Sequence, residues 1–316
     1  MMMKGKQLVA KVLGITALAL GGVFAISTAT QTSAKAATSY TTAINKGASY
    51  IKTKTPKDQL DAWDAFAVKR SPKGMSSAAK KVFTKELALQ FKHLGGHYAA
   101  VDYERTLMGA VSIGANPTKY RGVNLVSGII KTAPKSNAGI NAKIWGAIAL
   151  STKNYGSTAN KTVKTLISQI VKAQNSQGGW ALNGSASDVD ITGMALIALS
   201  EHTSYTGVKT AIKKAESALT SKAYKKSTGD FVLSTAFTKK ANADSNAMAI
   251  AGLSAAGVNP GTKAVNRLIK FQKSTGQFRW LLNSNTGALH MATQQSTYAL
   301  EQYRAYKLHK GSIFKF

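Results

Sequence analysis

The 316-residue sequence contains no cysteine and only 13 acidic residues, set against 42 lysines and arginines. The missing thiol excludes disulfides, thiolate metal sites, a cysteine nucleophile and lipid attachment at cysteine. The scarcity of acid leaves a net charge of +29, which favours polyanionic partners. For an exported chain these are anionic cell-wall polymers, acidic polysaccharides or lipid headgroups. Nucleic acid is not expected, because the basic residues are scattered as Lys-Lys pairs without a recognition motif. Long apolar runs are also missing. The run from Val12 to Ile26 falls short of the roughly 20 residues a spanning helix needs.

That short run follows Lys4, Lys6 and Lys11 and is succeeded by Ala34-Lys35-Ala36, the pattern of a secretory signal peptide over residues 1–36. The expected mature chain, residues 37–316, is a single domain. It is secreted, and either released or held non-covalently at the wall. A disulfide-free export product of this kind points to a Gram-positive bacterium.

What is present in abundance is repetition. Six segments share a polar or acidic start followed by a small-residue apolar helix, at residues 61–71, 102–114, 139–151, 188–200, 243–257 and 292–306. Their equivalent apolar positions are Val68, Val111, Leu150, Leu199, Leu253 and Tyr303. Between them lie helices with one wet face, such as Val163, Leu166, Ile167, Ile170 and Val171 opposite lysines, a one-sided period of 3.6. Further examples are Val208, Ala211, Ile212, Ala215 and Leu219, and Phe83, Leu87, Phe91 and Leu94. Helices buried all round, alternating with amphipathic ones, predict an all-α fold. Its form is an (α/α)6 toroid of six helical hairpins with an inner and an outer ring, and an open helical solenoid is the alternative. Asn116-Pro117 and Asn259-Pro260 are expected to start outer helices, with asparagine capping and proline at the first helical position.

Two turns repeat a further motif: Gln174, Gly178 and Trp180, then Gln272, Gly276 and Phe278, with Thr228-Gly229-Asp230-Phe231 a weaker copy. The reading is structural: glycine ends a helix with a left-handed cap, the ring covers the helix end and the glutamine amide satisfies backbone groups. With these Q-x-x-x-G-x-aromatic turns joined to Asp188-Val189-Asp190-Ile191-Thr192, the chain resembles the α/α toroids of terpenoid cyclases and protein prenyltransferase β subunits. It is closest to secreted bacterial surface proteins with squalene-cyclase-like repeats, and is also similar to the helical domain of cobalamin carriers.

Each activity that the resemblance implies meets a departure in this chain. The D-x-D-D acid motif of class II cyclases is matched at Asp188 and Asp190, but its last acid is Ile191. Ser187 and Asp190 approximate a capping box, so either aspartate reads equally as a helix cap. Prenyltransferase zinc needs a cysteine. His93 and His97 have helical metal spacing, but Gly95-Gly96 lies between them, and neither a metal nor a cofactor is expected. A corrinoid site would need a partner domain to close it. Asp61, Asp64, Asp102, Glu104, Asp188, Asp190 and Asp244 all begin inner helices and should gather at one mouth of the ring. There a glycoside hydrolase or polysaccharide lyase would use carboxylates roughly 5–9.5 Å apart.

The resulting expectation leans away from catalysis. It is a secreted, non-catalytic cell-surface protein whose cavity is lined by Trp63, Asp64, Tyr103, Glu104, Asn141, Trp145, Asp188, Asp190 and Asp244. The ligand is a small apolar or planar molecule, corrinoid-like, or a wall polymer. A carbohydrate-active enzyme is the alternative, a terpene cyclase the next, and Asp188 and Asp190 are the catalytic candidates.

Overall fold

A computed structural model describes residues 39–91, 94, 99–233 and 240–316. The signal-peptide segment and both His93 and His97 lie outside the described residues. Among these, the regular elements are helices, accompanied by isolated two-residue β-bridges. Residues 39–54 form α1. Then follow α2 (Ala62–Arg70), α3 (Ser77–Gln90), α4 (Ala99–Ser112), α5 (Leu125–Thr132), α6 (Gly139–Leu150) and α7 (Ser157–Lys172). The series continues with α8 (Val189–Ser200), α9 (Val208–Ser217, extended by a π-helical turn over Ala218–Ala223), α10 (Ala243–Ala255), α11 (Thr262–Lys270) and α12 (Leu289–Lys307). Thr41–Phe316 is one compact unit, and none of the described helices is long and apolar enough to cross a membrane.

The even-numbered helices form a cycle. Each of α2, α4, α6, α8 and α10 packs on the next, and α12 packs back on α2. The odd-numbered helices lie against them, α5 on α4 and α6, α7 on α6 and α8, α9 on α8, and α11 on α10. Sequence pattern explains the division. α10 is buried without a break from Ala243 to Ser254, whereas α7 buries Val163, Leu166, Ile167 and Ile170 and exposes its lysines. The six equivalent positions Val68, Val111, Leu150, Leu199, Leu253 and Tyr303 are each at most 5% exposed, and fully burying a large aliphatic side chain contributes roughly 1.5–3 kcal/mol. Small residues set the spacing of α8 and α10. A β-carbon on Gly193 would strike the carbonyl of Met248, and one on Gly252 would strike the backbone of Gly193.

The glutamine turns hold the outer layer together. Gln174 Nε2 donates to the Gly178 carbonyl (2.9 Å) and to that of Ala211 (2.8 Å), tying the end of α7 to α9. Gln272 Nε2 donates to Gly276 (3.1 Å) and Ala43 (2.8 Å), tying the end of α11 to α1. The expected role of the glycines needs correction. α7 ends at Lys172 with Ala173 as its C-cap, so Gly178 caps nothing. Gly178 (φ 91°) and Gly276 (φ 101°) are required because a β-carbon would meet the carbonyl of Lys214 or Lys46 on the neighbouring helix. The proline expectation also fails. α5 is capped by Asn124 and α11 begins after Gly261, while Asn116 and Asn259 fold Asx-type turns by accepting from the N–H groups of Thr118 and Gly261 (both 3.0 Å). These local hydrogen bonds compete with helix initiation and displace it downstream.

The C-terminal residues pack against α2, α6, α8 and α12 near the ends away from the helix starts. The Phe314 ring stacks on Phe66 (centroids 4.9 Å apart) and lies beside Trp145 and Tyr298 (6.0 and 6.1 Å). Gln302 Oε1 accepts the Ile313 N–H (2.9 Å), the Phe316 N–H donates to the Thr152 carbonyl (2.9 Å), and Lys315 pairs with Glu201 (2.5 Å). The Arg70 guanidinium donates to the Lys315 carbonyl and sits 3.7 Å over the Phe316 ring.

Candidate functional site

The turn and the acid motif prove to be one unit. Trp180 is fully buried, and its indole N–H donates to the Ile170 carbonyl in the last turn of α7 (2.7 Å). The Trp180 carbonyl accepts the N–H of Asp188 (2.7 Å), and its own N–H donates to Thr192 Oγ1 on α8 (3.2 Å). The other turns repeat the device, with the Phe231 N–H donating to Asn246 (2.7 Å) and the Phe278 N–H to Thr293 (3.0 Å). Sequence reasoning missed Thr192, Asn246 and Thr293; the signal was a hydrogen-bonding side chain recurring near the starts of α8, α10 and α12. In the weaker third copy, Asp230 binds Arg267 through both oxygens (2.8 and 2.9 Å). Burial opposes its ionisation, but hydrogen bonds from Arg267, Thr228 and Asn246 outweigh that and hold the carboxyl below its ordinary value.

With its backbone pinned by Trp180, Asp188 is the N-cap of α8, its Oδ1 accepting the N–H groups of Asp190 (2.9 Å) and Ile191 (3.5 Å). A Ser187–Asp190 capping box does not form. Ser187 donates instead to Asn175 (2.9 Å), and Asp190 is released from capping. Its Oδ1 is buried without a hydrogen-bond partner. Burial, then the charge of Asp188, push its carboxyl up to about 7, opposed by a hydrogen bond from Ser245. Asp188 is also raised by burial, against the two N–H donors. Asp244, near the start of α10, has both oxygens buried without partners, and burial followed by the charge of Asp190 hold it well above the ordinary range. Three carboxyls thus stand at the adjoining starts of α8 and α10.

Asp188 and Asp190 form part of the wall of a cavity of about 280 Å³. Ile191, Met194, Leu182, Phe231, Val232, Leu233 and Met291 supply its apolar surface, with Asn141, Lys240, Ser245 and Gln295 among the polar groups. The cavity therefore lies at the starts of α6, α8, α10 and α12. Leu182 and Met291 are more than 40% exposed and give it an apolar rim.

The remaining expected site residues lie elsewhere. Asp64, fully buried on α2, bonds His290 Nε2 on α12 (2.7 Å) and completes a capping box with Asp61. Burial raises the Asp64 carboxyl against the His290 hydrogen bond, and His290 is raised chiefly by that same bond. Trp63 packs on Trp145 (4.5 Å between centroids) and Tyr298 (6.2 Å), among the rings around Phe66, away from the cavity wall. Tyr103 and Glu104 require correction. α4 already runs from Ala99, so both lie inside the helix and are rotated off the mouth. Tyr103 fills the space over Gly128 on α5, and Glu104 lies against Gly146 on α6. Both Glu104 oxygens are unpartnered, and burial holds the acid well above its ordinary value. Asp102 pairs with Arg105 at the surface (2.9 Å). The single acidic lip expected from the sequence is accordingly two groups, Asp61 and Asp64 with His290, and Asp188, Asp190 and Asp244. The buried Tyr298 hydroxyl feels Asp244, Asp190 and Asp61, which add to burial in raising it well above its ordinary value. Among the described residues, no three or more His, Asp or Glu side chains are grouped to hold a metal.

No family model and no curated protein sequence matches the chain. Solved structures do. A type II terpene cyclase from Scytonema in complex with its substrate, geranylgeranyl dihydroxybenzoate, superposes with a TM-score of 0.62 at 11% identity, covering 86% of this chain and 99% of the other. The same enzyme with its product, merosterolic acid A, gives 0.59 at 12% identity over 87% and 99%, and the unliganded enzyme 0.58 at 12% over 86% and 99%. At this identity the likeness establishes the fold alone, an all-helical one shared with these terpene cyclase structures. The expectation of a non-catalytic surface protein is corrected on this likeness, because these structural counterparts are cyclases holding substrate and product.

Proposed function

We propose that the protein is a cyclase of acyclic isoprenoids that starts its reaction by protonating an alkene, with Asp190 as the acid. The observation that carries the reading is a carboxyl held near pKa 7, with one oxygen unpartnered, on the wall of an apolar cavity. Such an acid keeps its proton up to near neutral pH, far above the range of an ordinary carboxyl, as other carboxyls in apolar sites do. In the step, the O–H bond of Asp190 breaks and its proton bonds to one alkene carbon through the π electron pair. The other alkene carbon becomes a cation, which a second alkene attacks to close the ring. Loss of a ring proton to solvent removes the charge and solvent returns a proton to the Asp190 carboxylate, so the overall change is an isomerisation. Asp188 caps α8 and fixes the position of Asp190. The apolar wall formed by Met194, Ile191, Phe231 and Leu233 keeps water from the cation. A cavity of about 280 Å³ is near the lower end of the roughly 300–1,000 Å³ range for small-molecule sites, which favours short acyclic substrates.

The test is incubation of the full chain with acyclic isoprenoids of increasing length in D₂O, with mass spectrometry of the products. A cyclic isomer carrying one solvent deuterium, formed by the native protein and lost in Asp190→Asn, is expected. Unchanged substrate throughout the series would overturn the proposal. Export is proposed alongside, supported by the lysine-led apolar run and Ala34-Lys35-Ala36, and association with anionic wall polymers by the large excess of lysine and arginine over acidic residues beyond that segment. Binding to isolated walls should then weaken as salt screens it.

A further inference from the structure

Most serines near the ends of the inner helices bond back to their own helix. Ser71 after α2, Ser112 at the end of α4 and Ser200 at the end of α8 donate to the carbonyls of Val68, Met108 and Ile197 (2.8, 2.7 and 2.9 Å). The hydroxyl of Ser254 on α10 is buried without a partner. Ser151, the C-cap of α6, behaves differently. Its neighbour Thr152 makes the bond back, to the Ala149 carbonyl (2.8 Å), and Ser151 Oγ turns to His202 Nε2 just beyond α8, 3.0 Å away. A serine hydroxyl within hydrogen-bond reach of an imidazole is the geometry of a nucleophile and its base.

The surroundings suit that pairing. Ser151 and His202 are half-buried and line a groove of about 330 Å³ together with Leu150, Val163, Lys153 and Asn154. The Tyr205 ring stacks on the imidazole (centroids 5.2 Å apart, 21° between planes) and fixes its plane. Burial lowers the His202 pKa below its ordinary 6.5, against the charge of Glu201 and with that of Lys315. At pH 7 the ring is therefore neutral, and Nε2 can accept the serine proton. The backbone N–H groups of Lys153 and Asn154 donate no hydrogen bond among the described residues, and they follow Ser151 on the same groove. They are available to a developing oxyanion. The Phe316 N–H braces this turn through the Thr152 carbonyl (2.9 Å).

We propose that Ser151 and His202 form a second, ester-cleaving site at the opposite end of the inner helices from Asp190, acting on small esters that carry an anionic group for the exposed Lys153. Ser151 Oγ attacks the ester carbonyl carbon while its proton passes to His202 Nε2. The N–H groups of Lys153 and Asn154 hold the tetrahedral oxyanion. The bond from that carbon to the leaving alcohol breaks, and His202 gives the proton to the departing oxygen. Water then attacks the acyl-serine by the same route, with His202 taking and returning its proton, and releases the carboxylic acid and free Ser151. The titratable groups facing the imidazole are Glu201 on α8, Lys315 and Tyr205. The inference is independent of the cyclase reading, since the two sites share no side chain.

The experiment treats the full chain with a fluorophosphonate, followed by intact-mass spectrometry and peptide mapping. A single phosphonyl adduct on Ser151, absent from Ser151→Ala, is expected. His202→Gln keeps a hydrogen-bonding group beside the hydroxyl but takes up no proton, and should slow labelling by roughly 10²-fold or more. Absence of an adduct on Ser151, or equal labelling rates in the native protein and His202→Gln, would overturn the inference, because the serine would then be an ordinary helix cap. If His202→Gln does not fold, the pH profile of the native protein decides. Labelling that levels off above the His202 pKa supports the pair, and labelling that keeps rising in proportion to hydroxide overturns it. Hydrolysis of the p-nitrophenyl monoester of succinate should outpace that of p-nitrophenyl acetate, and Lys153→Gln should remove the difference. A preference that survives in Lys153→Gln would overturn the assigned substrate class.

Discussion

Replacing Asp190 by asparagine should stabilise the protein, and by an amount that depends on pH. The Asp190 carboxyl moves from an ordinary 3.8 to about 7 in the folded chain. Well below pH 3.8 both folded and unfolded chains hold the proton, and the acid costs nothing. As pH rises the unfolded chain releases its proton first, so it binds fewer protons than the folded one and stability falls. The fall continues until about pH 7, where the folded acid also ionises. The difference of about three units corresponds to roughly 4 kcal/mol at 1.36 kcal/mol per unit. Asparagine has no proton to lose. Urea unfolding followed by tryptophan fluorescence should therefore find Asp190→Asn close to the native protein at pH 4, and more stable by up to roughly 4 kcal/mol at pH 8. A gap that stays constant with pH, or that favours the native protein at pH 8, would refute the burial argument for this acid.

The other perturbations concern the frame that presents the acids. The native protein should lose stability between pH 4 and 8, because Asp64, Glu104, Asp188, Asp244 and Glu301 are all raised by burial. Asp230, with its lowered value, opposes the trend; Glu104→Gln should flatten the decline in the same urea titrations. Trp180→Ala should cost about 3–5 kcal/mol as a buried-ring truncation, and cyclase activity should fall with it, because Trp180 anchors Asp188. Gly193→Ala drives a methyl into the Met248 carbonyl and should cost about 1–3 kcal/mol by thermal unfolding. Phe314→Ala should cost about 3–5 kcal/mol, since its ring fills the space among Phe66, Trp145 and Tyr298.

The inner helices were readable because repetition discloses what a single helix does not. A segment such as 243–257, apolar on all sides, is ambiguous alone, but six equivalents separated by amphipathic helices admit two layers. Asp188 and Asp190 were readable as a motif, yet their division of labour was not. Which aspartate caps depends on where Trp180 pins the chain, a contact made across the turn. Glu104 and Tyr103 were misplaced because α4 begins earlier than the motif suggests, and a few residues of helix turn a side chain from the mouth to the layer behind it. Ser245 on Asp190, and His290 on Asp64, bring together residues from different repeats. No local pattern records such pairs. The C-terminal residues around Phe314 lie outside the repeat, so periodicity gave no indication of where they pack.

The most direct measurement is the infrared spectrum of the carboxylic acid C=O stretch, recorded for the native protein and Asp190→Asn from pH 5 to 9. A protonated band present in the native protein at pH 6, absent from the variant and lost as pH passes about 7, is the predicted result. If the two proteins give the same spectrum at pH 5 and above, Asp190 is already ionised there and does not hold the proton that the proposed chemistry requires.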